Sequence, residues 1–434
     1  MFATISIVIE VLFLSLIRPT GEYYIPDGLI WFFIFFTSVA VLLDLEKAPD
    51  YKETKDILAI ALFMRILVLF IDVYMKNTIH VFGSGTDTEG FYRRIVQMAI
   101  DDNYIPKGNF PITVGFLFRF IGISRLYAQF LIVMCSFVEL VFFVKTINII
   151  CDSAERKRVV LLLLSFLPVH LCMSAILLRE SIIYMFVSIS MYFFIKWYAT
   201  CNEASFIACI VFLIGAMAYH SGILGVLIGV TISRILFDTR NSKIKLTVGS
   251  VAIGILVIFV IVYLYNNYGE LLFAKFMNIE SITDISDGIS RGDSSYVKYV
   301  GDSATPLRML MFTVPRMIYF MFSPFPWQWR GGKDIIAFAF NSLIYLVIVG
   351  KGIGFLINNT KQSDDSIRKR QIIVILLIIC STATFVFAWG TTNSGTALRH
   401  RDKMAVIYCL IVAILLDKKT SNAHSKKAGR YIKA

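Results

Sequence analysis

Charge is scarce in this chain. Asp, Glu, Lys and Arg make up 17% of its 434 residues, against 57% hydrophobic and 14% aromatic, and the mean hydropathy is +0.72. That balance excludes a soluble globule and fits a bilayer protein. Histidine is rare too. His80, His170, His220 and His400 show no paired ligand spacing, so no metal site is expected. The seven cysteines lie mostly within or beside apolar runs and form no CxxC pair, which excludes a disulfide frame and leaves packing as their role. The "GSG" at 83–85 has no P-loop lysine and no preceding strand, so it is no phosphate loop, and no cofactor is expected. Internal repeats and a separate soluble domain are also missing, so residues 1–434 read as one polytopic domain. The N-terminal "MFATISIVIEVLFLSLIRPT" lacks a basic n-region and a small-residue cleavage site, and reads as a retained first span.

Long apolar runs are what the chain does have. Many approach the roughly 20 residues that cross a hydrocarbon core. The net charge of +12 gathers in short loops and in the tail 417–434, where the positive-inside rule and anionic lipid place it, and this argues against nucleic acid. Lys47, Lys52 and Lys55 mark one cytoplasmic loop, and Arg156, Lys157 and Arg158 mark another. Two crossings fit between them, 57–74 and 126–148, so residues 75–125 form an external loop. Its apolar part, "PITVGFLFRFIGIS", is too short to span and suits an interfacial helix. Further spans are expected near 2–18, 28–45, 159–178, 181–195, 206–219, 223–237, 246–265, 334–350, 372–389 and 403–416. The external segment 266–333 ends in the proline-broken stretch 308–330, read as interfacial or re-entrant. The expected fold is all-α, with about 12 transmembrane helices and both termini cytoplasmic.

This topology collects ionisable residues on the outer side. Asp87, Glu89, Arg93, Arg94, Arg179, Glu180, His220, Arg291, Arg308, Arg316, Arg330, Arg399, His400 and Arg401 all fall outside or at the outer boundary. The positive-inside rule disfavours arginine there, and binding an anion is the simplest reason for the excess. Arginine matches phosphate bidentately, and histidine can bond to phosphate or act as an acid near neutral pH. "LLRES", "AYHSG" and "TALRHRD" would deliver such groups to one depth as a pyrophosphate cradle.

In the external loop, "TDTE" at 86–89 matches a capping box, with Thr86 as N-cap and Glu89 reaching back. The helix after it carries Phe91, Ile95, Met98 and Ala99 on one face, with Glu89, Arg93, Arg94 and Asp101 largely opposite. Asp87 stands in the first turn, where the helix dipole favours negative charge. It is either an electrostatic helix start or a carboxylate placed to take a proton from a hydroxyl. Glu10, Arg65 and Glu139 lie within apolar runs and are expected to face protein or water. Trp327, Trp329, Tyr296 and Tyr299 have two available uses, stacking on sugar rings or anchoring at the interface.

A span, the external "GTDTEGFYRRIVQMA", the proline-flanked "FPITVGFLFRFIGIS" and another span resemble the GT-C class of membrane glycosyltransferases. "LLRESIIYMFVSISMYFFIKW", "AYHSGILG" and "GTALRHRD" look like external Arg/His positions of EpsG-like and Wzy-type bacterial polysaccharide polymerases. The resemblance covers about residues 57–240 and the C-terminal basic motif. Where that class often has paired acidic residues, Thr88 here separates Asp87 from Glu89. It implies interfacial helices at 88–102 and 111–124, with Asp87 or Glu89 as catalytic base. Arg93, Arg94, Arg179, His220, Arg399, His400 and Arg401 would bind a polyprenyl-diphosphate-linked oligosaccharide at the outer face of the cytoplasmic membrane. The implied activity is inverting polymerisation of repeat units for O-antigen, capsule or exopolysaccharide, with a flippase and a chain-length regulator as partners. Segment 266–307 would then serve as a lid. The alternatives are transfer of a single sugar from a polyprenyl phosphate and, in another class, a lipid-linked oligosaccharide flippase.

Overall fold

The computed structural model describes residues 1–18, 22–238, 243–244, 294–300, 311–358 and 364–416, with single helical positions at 255, 259, 263 and 266. Most of the expected span 246–265, most of segment 266–307 with Arg291, Arg308, and the tail 417–434 lie outside the described residues.

The described chain is mainly helical, with a two-residue antiparallel pairing of Phe237–Asp238 with Lys243–Ile244 and isolated bridges Tyr24–Ile123 and Ser295–Asn393. In order come α1 (Phe2–Ile17), α2 (Asp27–Lys47), α3 (Lys55–Tyr74), α4 (Thr86–Ile100), α5 (Asn109–Ile121) and α6 (Arg125–Ile150). Then follow α7 (Ala154–Phe166), α8 (Pro168–Met173), α9 (Glu180–Thr200), α10 (Glu203–Tyr219) and α11 (Leu224–Leu236). The last described part holds α12 (Thr313–Phe322), α13 (Gly332–Ala337), α14 (Leu343–Asn358), α15 (Asp364–Trp389), α16 (Ser394–Asp402) and α17 (Ala405–Leu416). A π-helical turn, Phe338–Ser342, joins α13 to α14.

Six of these helices are long and apolar enough to cross a membrane: α2, α3, α6, α9, the continuous Gly332–Asn358 and α15 from Ser366. The outward faces of α1 and α2 are greasy as well, with Val8, Ile9, Leu12, Leu16, Phe32, Phe35 and Leu43 exposed. Apolar residues in such density on an outer face belong against lipid, so the chain is a membrane-embedded helical protein. Glu10, Arg65 and Glu139 are all buried against protein, as their cost in lipid requires.

One expected span is broken. Pro168 lacks a backbone donor, and Leu167 before it is extended (φ −54°, ψ 118°), so 159–178 becomes α7, then α8, then irregular chain. The expected span 403–416 forms α17, which a turn over Lys403 and Met404 separates from α16. Among its described residues, the stretch 308–330 holds the ten-residue α12 and a 3-10 turn at Pro326–Gln328, both too short to cross.

The close packing of α11 on α15 comes from glycine. A Cβ at Gly225 would lie 2.6 Å from the Ala383 Cα, and one at Gly229 2.6 Å from the Ile379 Cα. This four-residue glycine spacing lets two backbones touch, a packing that suits helices in lipid.

Charges sort to the two ends of the bundle. At one end Arg158 pairs with Asp56 (2.6 Å) and Lys157 with Glu53 (3.0 Å), joining the loops before α3 and α7. The same end carries Arg234 on Glu203 at 3.0 Å. At the opposite end α4 and α5 pack together across Gly115, where a Cβ would stand 2.9 Å from that of Met98.

Candidate functional site

Helix α4 begins differently from its expected capping box. The cap is Gly85, whose φ of +145° suits only glycine, and the Thr88 side chain bonds back to it. The Thr88 hydroxyl accepts from the Gly85 N–H at 3.1 Å and donates to the Gly85 carbonyl at 2.9 Å. Glu89 is drawn away instead by stronger partners, Arg125 at 2.6 Å and Lys76 at 3.4 Å. Burial raises the Glu89 carboxyl, but the Arg125 guanidinium outweighs it and holds the group below its ordinary value. Arg125 also reaches buried Asp72 at 3.6 Å, so Glu89 belongs to a pair that clamps α4 onto α3 and α6.

Asp87 keeps 62% of its side chain exposed and meets Arg399 Nη1 at 2.5 Å. Arg399 reaches in the other direction to Glu180, with Nη2 at 2.9 Å and Nε at 3.3 Å from Oε1. Glu180 and Lys403 are both fully buried, and Lys403 Nζ lies 3.5 Å from the same carboxylate oxygen. The second oxygen, Glu180 Oε2, and Arg179 Nε are buried without hydrogen-bond partners. Burial lowers the Arg179 guanidinium below its ordinary value, and Glu180, Arg399, Asp87 and Arg94 act on it electrostatically. Three cations thus face two carboxylates, one of them at the surface. The excess positive charge and the orphaned Nε fit an incoming anion.

His220 and His400 form a second feature. Their Nε2 atoms stand 3.1 Å apart. The Gly222 N–H donates to His220 Nδ1 at 3.1 Å, so that nitrogen is an acceptor and, in the neutral ring, Nε2 carries the proton. His400 then accepts at Nε2, and its Nδ1–H donates to Thr391 Oγ1 at 3.1 Å.

Arg401 points elsewhere. It is fully buried and donates to Asn341 Oδ1 (2.5 Å), the Phe320 and Met321 carbonyls (3.1 and 2.7 Å) and Ser342 Oγ (2.7 Å). Those bonds leave it tying α12 and the π-turn to α16. Arg93 lies exposed, and Arg94 donates to the Gly90 carbonyl at 3.0 Å and covers the Phe91 ring. Asp87, Arg179 and Arg399 are therefore the expected site residues that meet. Glu89, Arg93 and Arg401 do not join them.

Beneath this cluster lies a buried network. His170 stands between two carboxylates, with Nδ1 at 2.9 Å from Asp402 and Nε2 at 3.2 Å from Glu139. A ring flanked in this way donates from both nitrogens. Asp402 also accepts from Tyr184 (2.8 Å) and Tyr345 (3.2 Å). The proline break at 167–168 puts His170 there, and no spacing in the sequence pairs it with Asp402, 232 residues away. An apolar cavity of about 180 Å³, lined by Met317, Met321, Leu377, Cys380, Thr384 and Tyr408, holds none of these charged groups. Among the described residues, no group of three or more His, Cys, Asp or Glu side chains is placed to hold a metal ion. No protein-family model, curated protein or solved structure matches the chain.

Proposed function

We propose that this chain is a GT-C-like membrane glycosyltransferase of about 12 spans that polymerises polyprenyl-diphosphate-linked oligosaccharides at the outer face of the cytoplasmic membrane. One observation carries the reading. An exposed carboxylate on a surface helix, Asp87, is held against Arg399, and buried Glu180 aims that guanidinium outward. Carboxylate and cation together are what a displacement at an anomeric carbon needs.

The acceptor hydroxyl oxygen attacks the anomeric carbon and gives its proton to Asp87. The bond from that carbon to the phosphate oxygen breaks with inversion, and the diphosphate leaves with the bonding pair. Arg399, Arg179 and Lys403 balance the charge that gathers on it, and burial strengthens their effect. His220 and His400 bond to each other and take no part in this charge balance. Glu89, committed to Arg125, keeps α4 seated while Asp87 exchanges its partner.

The test is gene deletion in the host, followed by return of wild type, Asp87→Asn and Arg399→Ala with expression checked. Loss of long surface chains, with single lipid-linked repeat units left outside, supports polymerisation. Intact chains that lack one side sugar indicate single-sugar transfer.

The buried Glu139–His170–Asp402 chain favours a second reading, a proton-coupled flippase for the same lipid-linked saccharide. In that case repeat units accumulate inside the membrane, and His170→Gln blocks export while Asp87→Asn does not.

A further inference from the structure

Aromatic rings step outward from the His220–His400 pair. Tyr296 is fully buried, and its hydroxyl donates to the carbonyl of Thr391, the residue whose hydroxyl meets His400. Tyr319 lies 5.6 Å from Tyr296 and stacks with Tyr299 at 5.3 Å and 15°. Phe325 follows at 5.0 Å from Tyr319, edge to face, and Trp327 stacks on Phe325 at 4.7 Å and 5°. The last ring is 61% exposed. Ten residues past Trp327, Ala337 packs in one apolar cluster with Val81 and with Leu398, the residue before Arg399.

We infer that Trp327, backed by Phe325 and continued by Tyr319 and Tyr299, is a platform for the glycan chain of the substrate. The proposal rests on the glycosyl-transfer reading and adds where the sugar rings lie. Phe325 covers one face of the indole, and the residue keeps 61% of its surface exposed. The axial C–H groups of a pyranose present a weakly positive apolar face that complements the negative face of an indole. Polar groups for sugar hydroxyls stand at the rim, in Gln328 and in the Arg330–Asp334 pair at 2.9 Å. Trp329 differs from Trp327, because its indole N–H is spent on the Pro324 carbonyl at 3.2 Å.

The full chain in phospholipid nanodiscs is titrated with an array of neutral linear oligosaccharides of hexoses, N-acetylhexosamines and deoxyhexoses, followed by tryptophan fluorescence. At least one sugar should produce a saturable change. Trp327→Ala should weaken it by about fivefold, while Trp327→Phe stays within about twofold, the difference expected for one lost aromatic face. Elution volume and thermal midpoint establish that each variant folds. Trp327→Leu replaces the alanine variant should that one fail to fold.

Equal binding by wild type and Trp327→Ala overturns the platform, and so does silence across the whole array. Quenching of the Trp327 signal by bromine-labelled acyl chains, unchanged by any sugar, also overturns it and makes the residue a membrane anchor. The two readings fail separately. Sugar binding that needs Trp327, together with full transfer by Asp87→Asn, removes the proposed base and leaves the platform. Loss of transfer in Asp87→Asn with no role for Trp327 in binding does the reverse.

Discussion

Replacing Glu180 with glutamine should expose the main electrostatic support of the site. Glu180 and Lys403 are fully buried 3.5 Å apart, and Arg399 sits 2.9 Å from the same oxygen. At that separation a charge pair is worth on the order of 4 kcal/mol with an effective dielectric of about 20. Removing one partner of a buried pair costs about 3–5 kcal/mol, because the other charge is left uncompensated. Arg399 keeps Asp87, so the loss falls mainly on Lys403, and about 3 kcal/mol is expected for Glu180→Gln. Lys403→Met should cost less, about 1–2 kcal/mol, since Glu180 retains Arg399. With both changes together, no buried charge of the pair remains. The double variant should then lose only about 2 kcal/mol, a coupling of roughly 2–3 kcal/mol. Equilibrium unfolding in mixed detergent micelles measures all four corners of the cycle. Additivity within about 0.5 kcal/mol would refute the pairing.

Other outcomes follow from the same coordinates. Gly229→Leu should disrupt the contact of α11 with α15, costing about 1–3 kcal/mol by overpacking, whereas Gly350→Ala, inside a helix with nothing near its Cβ, should be neutral to stabilising by up to about 1 kcal/mol in the same unfolding assay. Arg401→Lys should lower folded yield while the substrate KM of the surviving protein stays unchanged, because the guanidinium bonds only to protein groups. Glu89 has a folded pKa below its unfolded one, so its stabilisation is present above the unfolded value near about 4.3 and is lost as pH falls through the folded value. Arg125→Gln should flatten that acid limb in a stability titration. Cysteines introduced at Asp102 and Lys52 should react with a membrane-impermeant maleimide from opposite sides, and labelling from one side would break the two-ended arrangement.

Most of the fold is legible because lipid imposes a length rule. Apolar runs at 28–45, 57–74 and 126–148 become α2, α3 and α6, with ends displaced by only a few residues. The surface helices are legible as well, since the apolar face of α4 carries Ile95 and Met98 into the core, as its spacing requires. Helix breaks are less visible. Pro168 sits inside a run whose mean composition is that of a span, and hydropathy averages over it. Capping chemistry is also degenerate there. "GTDTE" reads as a box from Thr86 to Glu89, but the conformation of Gly85 puts the cap one residue earlier and the pull of Arg125 removes Glu89.

The site shows the limit most sharply in five consecutive residues, Arg399 to Lys403. Hydropathy gives them one depth, and on that ground Arg399, His400 and Arg401 look like a single basic patch. A helix turns roughly 100° per residue, so neighbours cannot share a partner. Arg399 faces Glu180 and Asp87, His400 faces His220, Arg401 faces Asn341 and α12, and Asp402 faces His170 and Tyr184. Lys403 comes back into register with Arg399, donating to its carbonyl at 3.3 Å and to Glu180 at 3.5 Å. The spacing of four was therefore the usable signal in "RHRDK". It joins Arg399 to Lys403 and removes Arg401 from the anion site. Which neighbour each face would meet depends on contacts 60 to 312 residues away, and nothing local in the sequence encodes those.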